Sequence, residues 1–242
     1  MGWSRPIGPL RVWRNIELIN SHGNKIQISI EDIPEDQYPE VLDHMCTFFI
    51  KDETTLSSMN ISEDPDAIMV LKDFWNIALK QRMAIGAFDK SENDENKKLV
   101  GVNILAVIDE DFDNECKNFT ISNVRMKKFF NFLFEFSDEG DPRRTSDVNF
   151  YLSAFGLSVD PKYRCLGLGK QLLATRDDIG RVYNINLTET IFTSAISQKA
   201  AAAVGFKDHV ARAYEDIVDE DGEKLFPSLA GKYVKSMMKH LQ

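Results

Sequence analysis

The segment 157–170 holds the residues best placed to bind an anionic ligand. It joins a predicted buried strand over 149–159 to a predicted helix over 168–183, and it carries Arg164 followed by two glycines. Glycine lets the backbone come close to a ligand, and the free amides and positive dipole end of a helix N-terminus favour anions such as a pyrophosphate. A bare Gly-x-Gly is also found at ordinary helix starts, so the flanking strand, helix and Arg carry the interpretation.

Three better-known motifs do not fit this segment. A dinucleotide-binding Gly-x-Gly-x-x-Gly would need glycine where Leu172 stands. A P-loop would need glycine in place of Arg164, and Ser or Thr in place of Gln171. A nucleophile elbow would need glycine in place of Asp160. What remains is an R-x-x-G-x-G pattern, here Arg164-Cys165-Leu166-Gly167-Leu168-Gly169.

This pattern resembles the acetyl-CoA pyrophosphate loop of the GNAT N-acetyltransferases. The resemblance implies an α/β (α+β) fold, with a mixed, mostly antiparallel central sheet flanked by helices and a cofactor cleft between splayed central strands. It also implies that the strand before the loop pairs through its backbone with the pantetheine arm of acetyl-CoA. The cofactor-binding residues implied are Leu157, Ser158, Val159, Arg164, Cys165, Leu166, Gly167, Leu168, Gly169 and Lys170.

A narrower resemblance, to the insect arylalkylamine (dopamine-type) N-acetyltransferases, covers most of the chain. It rests on Ile33-Pro34-Glu35-Asp36, Val41-Leu42, Phe48-Phe49, Lys51-Asp52-Glu53, Ser158-Val159-Asp160, and Ser194 and Ser197 ahead of Gly205-Phe206. The resemblance implies that Glu53, Ser194 and Ser197 are catalytic, with Glu53 as the general base.

The sequence departs from these families at two places. Thr54-Thr55-Leu56 follows the acidic pair, where the narrower family has Pro-Leu. Ala201 stands where many GNAT enzymes place a tyrosine as proton donor. The dopamine-type enzymes also lack that tyrosine, so this departure agrees with the narrower resemblance.

Ordinary structural roles remain open for the same residues. Glu53 could be a solvated acid at a helix end, with Asp52 as the nearest competitor for the base. Ser197 could be only the N-cap of a helix over 198–204. Cys165 has no histidine in a recognisable partnering motif and is expected to be a bystander. The phenylalanine cluster over 129–136 is expected in the core or, alternatively, in the wall of an apolar substrate pocket.

Hydrophobic patterns predict the elements that position these residues, in the order β-β-α-α-β-β-α-β-α-β-α-β-β. A single N-acetyltransferase domain over 1–242 is expected. Acidic residues over 109–115 and polar residues over 57–63 indicate loops, and 137–146 indicates an exposed connector. The strand before the last helix is expected over 190–195. The C-terminal residues have helical spacing, but the resemblance implies a strand there.

Composition excludes several function classes. The chain has 29 Lys and Arg against 38 Asp and Glu, a net charge of −9, which argues against a nucleic-acid partner. Its three cysteines show no metal-ligand spacing, so no metal is expected, and they are typical of reduced thiols in a cytoplasmic protein. No apolar run approaches the roughly 20 residues of a spanning helix, so no membrane is expected.

The resemblance implies an acetyl-CoA-dependent N-acetyltransferase that acts on a small primary amine by direct attack in a ternary complex. The amine could be an arylalkylamine such as dopamine, tyramine or serotonin, or a polyamine or agmatine, and the sequence does not choose between them. A monomer is expected. The alternative is a catalytically inactive GNAT-fold module that binds CoA or another partner.

Overall fold

The computed structural model describes residues 2–19, 23–91 and 97–241, and a mixed β-sheet runs through its centre. Eight strands of the described chain pair in the order β1-β2-β3-β4-β5-β6-β8-β7. All neighbours are antiparallel except β5 and β6, which are parallel. The strands are β1 (Val12–Ile19), β2 (Lys25–Asp32), β3 (Ile85–Asp89), β4 (Lys98–Ile108), β5 (Tyr151–Val159), β6 (Leu187–Phe192), β7 (Lys207–Ala213) and β8 (Tyr233–His240).

Helices cover both faces of the sheet. They are α1 (Tyr38–His44), α2 (Ile50–Asp52), α3 (Thr54–Ser58), α4 (Pro65–Leu79), α5 (Glu110–Lys117), α6 (Val124–Glu139), α7 (Leu168–Tyr183) and α8 (Ala195–Ala202). The two faces are separated by alternation along β4, because successive side chains of a strand point to opposite sides. Val102 and Ile104 belong to the core under α1–α6, whereas Leu105 and Val107 belong to the core under α7. This architecture confirms the predicted mixed sheet with flanking helices.

The expected acidic loop over 109–115 is wrong, because this stretch forms helix α5. Asp109 caps it by accepting a hydrogen bond from the Phe112 amide at 2.8 Å. The acidic residues of the first turn complement the positive end of the helix dipole. Phe112 and Cys116, four residues apart, are both buried. The charges that indicated a loop are therefore the exposed face of a short amphipathic helix.

Three other boundaries differ from the sequence-based expectation. The stretch 57–63 is not a loop throughout, since it contains the end of α3 and a 3₁₀ turn at Ile61–Glu63 with Ile61 fully buried. The connector over 137–146 is not wholly exposed, because Asp141 is buried and caps a 3₁₀ turn at Pro142–Arg144. Strand β6 begins at Leu187, three residues before the predicted start at Thr190.

The C-terminal residues form a strand, as the resemblance implied and against their helical spacing. Strand β8 pairs with β6 on one side and with β7 on the other. Both ladders satisfy its backbone groups, and this pairing outweighs the local apolar pattern. The stretch 20–24, whose residues are typical of a turn, lies partly outside the described residues, and residues 92–96 also lie outside them.

A close approach between α1 and β5 positions the candidate site. Helix α1 continues through a π-helical turn, Met45–Phe49, into α2. In β5, two residues lie opposite one of β4, and the bulge contains Gly156 with φ +145°. This φ favours glycine, and a Cβ atom at Gly156 would lie 2.5 Å from the Met45 methyl, which would have to move. None of the helices in the described residues is both long enough and apolar enough to span a membrane.

Candidate functional site

A cleft opens where the parallel strands β5 and β6 separate. The two strands pair at Leu152 and Thr188 and form no further pair in the described chain. A cavity of about 290 Å³ occupies this region and extends under α4 and α6. Its wall is largely apolar and includes the aromatic side chains of Phe49, Phe74, Trp75, Phe130, Phe134 and Phe155. The predicted cleft is thus present, and part of the phenylalanine cluster of α6 lines it.

Glu53 lies at the edge of this cavity, between α2 and α3. Its Oε2 accepts hydrogen bonds from the Leu56 amide at 2.7 Å and from Thr55 Oγ1 at 2.6 Å. Its Oε1 accepts a hydrogen bond from Thr193 Oγ1, just after β6. An ionised carboxylate offers about four acceptor positions, so three donors hold it in place and leave one for a ligand. Glu53 is therefore the N-cap of α3 and not a solvated side chain at a helix end.

Two residues that sequence reasoning missed support Glu53. Thr193 lines the cavity and donates to Glu53, and Tyr214 donates from its hydroxyl to the Thr193 carbonyl oxygen at 2.8 Å. Tyr214 is fully buried, and burial together with the nearby Glu53 charge raises its pKa well above the ordinary value. The Tyr214 hydroxyl therefore stays neutral and acts as a fixed donor that positions Thr193. No motif in the sequence marks either residue.

Asp52, the nearest competitor for the role of base, points elsewhere. Its Oδ2 accepts a hydrogen bond from Arg164 Nη2 at 2.5 Å, and its side chain is about half exposed. It does not line the cavity, whereas Glu53 does. Arg164 also donates from Nε to the Val159 carbonyl oxygen at 2.9 Å. Asp52 thus ties the helix that precedes Glu53 to the loop before α7.

Ser194 and Ser197 form a reciprocal cap at the start of α8. The Ser194 hydroxyl accepts from the Ser197 amide at 3.1 Å, and Ser197 Oγ accepts from the Ser194 amide at 3.3 Å. The expectation of Ser197 as N-cap is therefore wrong, because α8 begins at Ala195 and Ser194 is the cap. Ser197 lines the cavity, and its hydroxyl donates to the Ser194 carbonyl oxygen at 2.9 Å.

The first turn of α7 presents amides that have no hydrogen-bond partner among the described residues. Gly167 is the N-cap of this 16-residue helix, has φ +85°, and provides no side chain to satisfy the first-turn amides. Those amides belong to Leu168, Gly169 and Lys170, and the first turn carries no acidic residue. A Cβ atom built at Gly167 would meet nothing within 4 Å. This end of α7 is an open cradle with the polarity that suits a phosphate group.

The other residues that the resemblance assigns to cofactor binding differ in how far they are exposed to the cavity or to solvent. The side chains of Ser158 and Leu168 are buried, so only their backbone atoms can meet a ligand. Leu157 and Gly169 line the cavity. Cys165 is exposed with φ +61°, and the side chain of Lys170 is also exposed. Val159 and Leu166 are half-buried.

Two buried ionisable side chains that the sequence did not point to, Arg176 and Glu189, also line the cavity. Arg176 of α7 donates to Thr190 Oγ1 at 2.7 Å and to Thr188 Oγ1 at 3.1 Å, and Glu189 Oε1 accepts from Ser236 Oγ at 2.7 Å. Burial lowers the pKa of Arg176 to about 9 and raises that of Glu189 to about 7. Over the described ranges, no group of three His, Cys, Asp or Glu side chains could hold a metal ion.

Several solved structures share this architecture. A putative arylalkylamine N-acetyltransferase 7 from the mosquito Aedes aegypti is 27% identical, with a TM-score of 0.89 and 100% of both chains covered. The chain has the GNAT fold and resembles the insect arylalkylamine N-acetyltransferases. No protein-family model matches the sequence, and no curated protein does.

Two further GNAT structures show the same fold at lower identity. Arylalkylamine N-acetyltransferase 2 of Aedes aegypti is 24% identical, with a TM-score of 0.76 over 89% of this chain and 99% of its own. A polyamine N-acetyltransferase of Drosophila melanogaster, which forms N-acetylagmatine, is 18% identical, with a TM-score of 0.74 over 88% and 100%. The comparisons confirm the expected resemblance and support an enzyme of the acyltransferase class.

Proposed function

We propose that the protein is an acetyl-CoA-dependent N-acetyltransferase of small primary amines. One observation carries the proposal: Glu53, fixed by Leu56, Thr55 and Thr193, borders an aromatic cavity in the cleft between β5 and β6. The cradle of free amides at α7 lies at the same cleft, since Gly169 lines the cavity together with Leu157. A proton acceptor and an anion site therefore share one cavity.

The residues at the start of α7 fit acetyl-CoA, which would supply an acetyl group as a thioester. The amides of Leu168, Gly169 and Lys170 would hold the pyrophosphate, and the positive end of the α7 dipole would favour its charge. The backbone of Leu157, Ser158 and Val159 would pair with the pantetheine arm, because β6 has separated from β5 there. Arg164, Cys165, Leu166 and Gly167 would shape the loop around the phosphates.

Glu53 would act as the general base. A primary ammonium has a pKa near that of lysine, about 10.4, so the amine must lose a proton before it attacks a carbonyl. The acceptor position left open on Glu53 can take that proton directly or through an ordered water. Its negative charge would also attract the ammonium into the cleft. Backbone amides near Leu157 would polarise the carbonyl under attack.

Ser197 would stabilise the departing sulfur, with Ser194 as its support. Ser197 Oγ borders the cavity, and its hydroxyl proton is directed to the Ser194 carbonyl oxygen in the free protein. A rotation about χ1 or χ2 would direct that proton to a thiolate. The reciprocal cap holds the Ser197 backbone in place during such a rotation. This role stands beside the capping role and does not replace it.

A coupled thiol-release assay with a panel of amines tests the proposed function. The panel contains tyramine, dopamine, serotonin, agmatine and a polyamine, with acetyl-CoA as donor. Thiol release above background with at least one amine is expected. Saturable CoA binding without turnover on the whole panel would instead support the inactive CoA-binding module. One domain over 1–242, a monomeric state and a cytoplasmic location remain predictions.

A further inference from the structure

A buried carboxylate that the proposed mechanism does not use also lines the cavity. Glu189 follows Thr188, where β5 and β6 are still paired, and it is 3% exposed. It lines the cavity, and Ser236 occupies one of its oxygens, Oε1, at 2.7 Å. Within the part of the chain that the structure describes, Oε2 accepts no hydrogen bond. One oxygen of this carboxylate is therefore open to a ligand.

Glu189 and Glu53 both line this cavity. Glu53 is hydrogen-bonded to Thr193, which lies four residues beyond Glu189, and alternate residues of an extended chain share a face. At about 3.3 Å per residue, the Cα atoms of Glu189 and Thr193 are at most roughly 13 Å apart. The two carboxylates are therefore near enough to contact opposite ends of one small ligand.

The wall of the cavity suits an aromatic ring. Trp75, Phe155 and Phe130 border the cavity, and their faces and edges can pack against a flat ligand ring. A ring with a short amine arm and a polar substituent at the opposite ring position carries one polar group at each end, one for each carboxylate. Because an ionised Oε2 is an acceptor only, the substituent must be a hydrogen-bond donor.

A hydroxyl group fits this end better than a second ammonium. The Arg176 guanidinium also lines the cavity and acts electrostatically on Glu189, so another cation would lose its water beside a positive charge. Burial raises the pKa of Glu189 to about 7, so the carboxyl is protonated part of the time at neutral pH. A hydroxyl can donate to the ionised form and accept from the protonated form, whereas an ammonium can only donate.

We propose that Glu189 is a specificity-determining residue whose Oε2 binds the ring hydroxyl of a hydroxyphenylethylamine. The proposal rests on the proposed amine acetyltransferase activity and names its substrate class. Glu53 then contacts the amine end of the substrate at the reaction centre. Glu189 binds the hydroxyl at the other end, near the paired part of β5 and β6.

A pair of amines that differ only in the ring hydroxyl, tyramine and 2-phenylethylamine, tests the proposal. The wild-type protein is expected to prefer tyramine by about 10- to 100-fold in kcat/KM, the range for a hydrogen bond to a charged group. In Glu189→Met, which removes the acceptor, kcat/KM for tyramine is expected to fall by more than that for 2-phenylethylamine, so that the preference disappears. Glu189→Gln retains an uncharged acceptor and is expected to lie between. Glu40→Gln, at an exposed site on α1, is the matched control.

Other outcomes overturn the proposal. An equal loss for both amines in Glu189→Met and Glu189→Gln would assign Glu189 a purely structural role, and so would an unchanged preference. A preference for agmatine over tyramine that disappears in these variants would assign the carboxylate to a second cation. If Glu189→Met does not fold, an unchanged preference in Glu189→Gln is sufficient to reject the idea.

Direct binding separates this proposal from the proposed function. Calorimetry with tyramine and 2-phenylethylamine needs no turnover. If no amine is acetylated but tyramine binds more tightly, and the difference is lost in Glu189→Met, the catalytic proposal fails and the Glu189 site stands. Equal binding of the two amines by the wild-type protein would overturn the Glu189 site whatever the activity.

Discussion

Replacing Glu53 by Gln separates its basicity from its structural role. Glu53 Oε2 accepts from the Leu56 amide and Thr55 Oγ1, and Oε1 accepts from Thr193 Oγ1. In Glu53→Gln the amide oxygen can keep the two contacts in α3, and the amide nitrogen can donate to Thr193 once that hydroxyl rotates. The stability cost is therefore expected to stay within about 1 kcal/mol, the typical value for an altered N-cap.

The same substitution should have a much larger effect on turnover. A lost acid–base group lowers kcat by roughly 10²–10⁴-fold, which corresponds to about 3–5 kcal/mol of barrier. Thiol release at saturating amine and acetyl-CoA measures this drop, and thermal unfolding measures the stability cost. The acidic limb of the kcat/KM–pH profile is also expected to shift or vanish, and Glu40→Gln serves as the control. A folded Gln variant with near-normal kcat and an unchanged acidic limb would refute the reasoning and leave Glu53 as only the cap of α3.

Three further predictions test the cofactor cradle, the serine pair and the buried carboxylate. Gly169→Val should raise the acetyl-CoA Kd at least about ten-fold in a folded protein, because a Cβ there meets only Leu157 Cδ2 at 3.7 Å and so fills space left for a ligand; unchanged affinity by calorimetry contradicts this. Ser197→Ala should lower kcat at saturating substrates more than Ser194→Ala, whereas Ser194→Ala should cost about 1 kcal/mol of stability; the opposite ranking contradicts it. Glu189 has its pKa raised to about 7 by burial, so the folded state holds a proton that the unfolded state releases above its ordinary pKa near 4.5. Wild-type stability should therefore fall relative to Glu189→Gln as pH rises from 4.5 to 7, by up to about 3 kcal/mol, in urea unfolding at several pH values.

Local sequence patterns predicted the helices whose start signals lie next to them in the sequence. Helix α7 has the predicted bounds because Gly167 precedes it and its apolar face is regular. Helix α4 begins at Pro65 after Asp64, a typical helix start, and Asp64 Oδ1 accepts from the amides of Asp66 and Ala67. In both cases the signal lies within one or two turns of the residues it describes.

Contacts across the chain could not be predicted in this way. Thr193 and Glu53 are 140 residues apart in sequence, and no local pattern shows that β6 lies beside the end of α2. Tyr214, which positions Thr193 through its hydroxyl, also lies in no recognisable motif. The resemblance supplied Glu53 as a candidate. The Leu56 and Thr55 donors belong to the local cap of α3, whereas the Thr193 donor is a consequence of tertiary packing.

The sequence-based prediction started β6 at Thr190 instead of Leu187, and Glu189 explains this difference. Leu187-Thr188-Glu189 holds a charged residue in the first half of a buried strand, and this charge interrupts the apolar pattern. Buried Arg and Glu lower stability unless they are well paired, and apolar replacements of such pairs are often neutral or stabilising. Here the pKa of Arg176 is lowered and that of Glu189 is raised, so neither charge is fully compensated by the other. The fold alone does not require this cost, and local rules tend to fail where function imposes a residue. The position at which the sequence-based prediction fails is therefore also the position at which a substrate-recognising carboxylate would be expected.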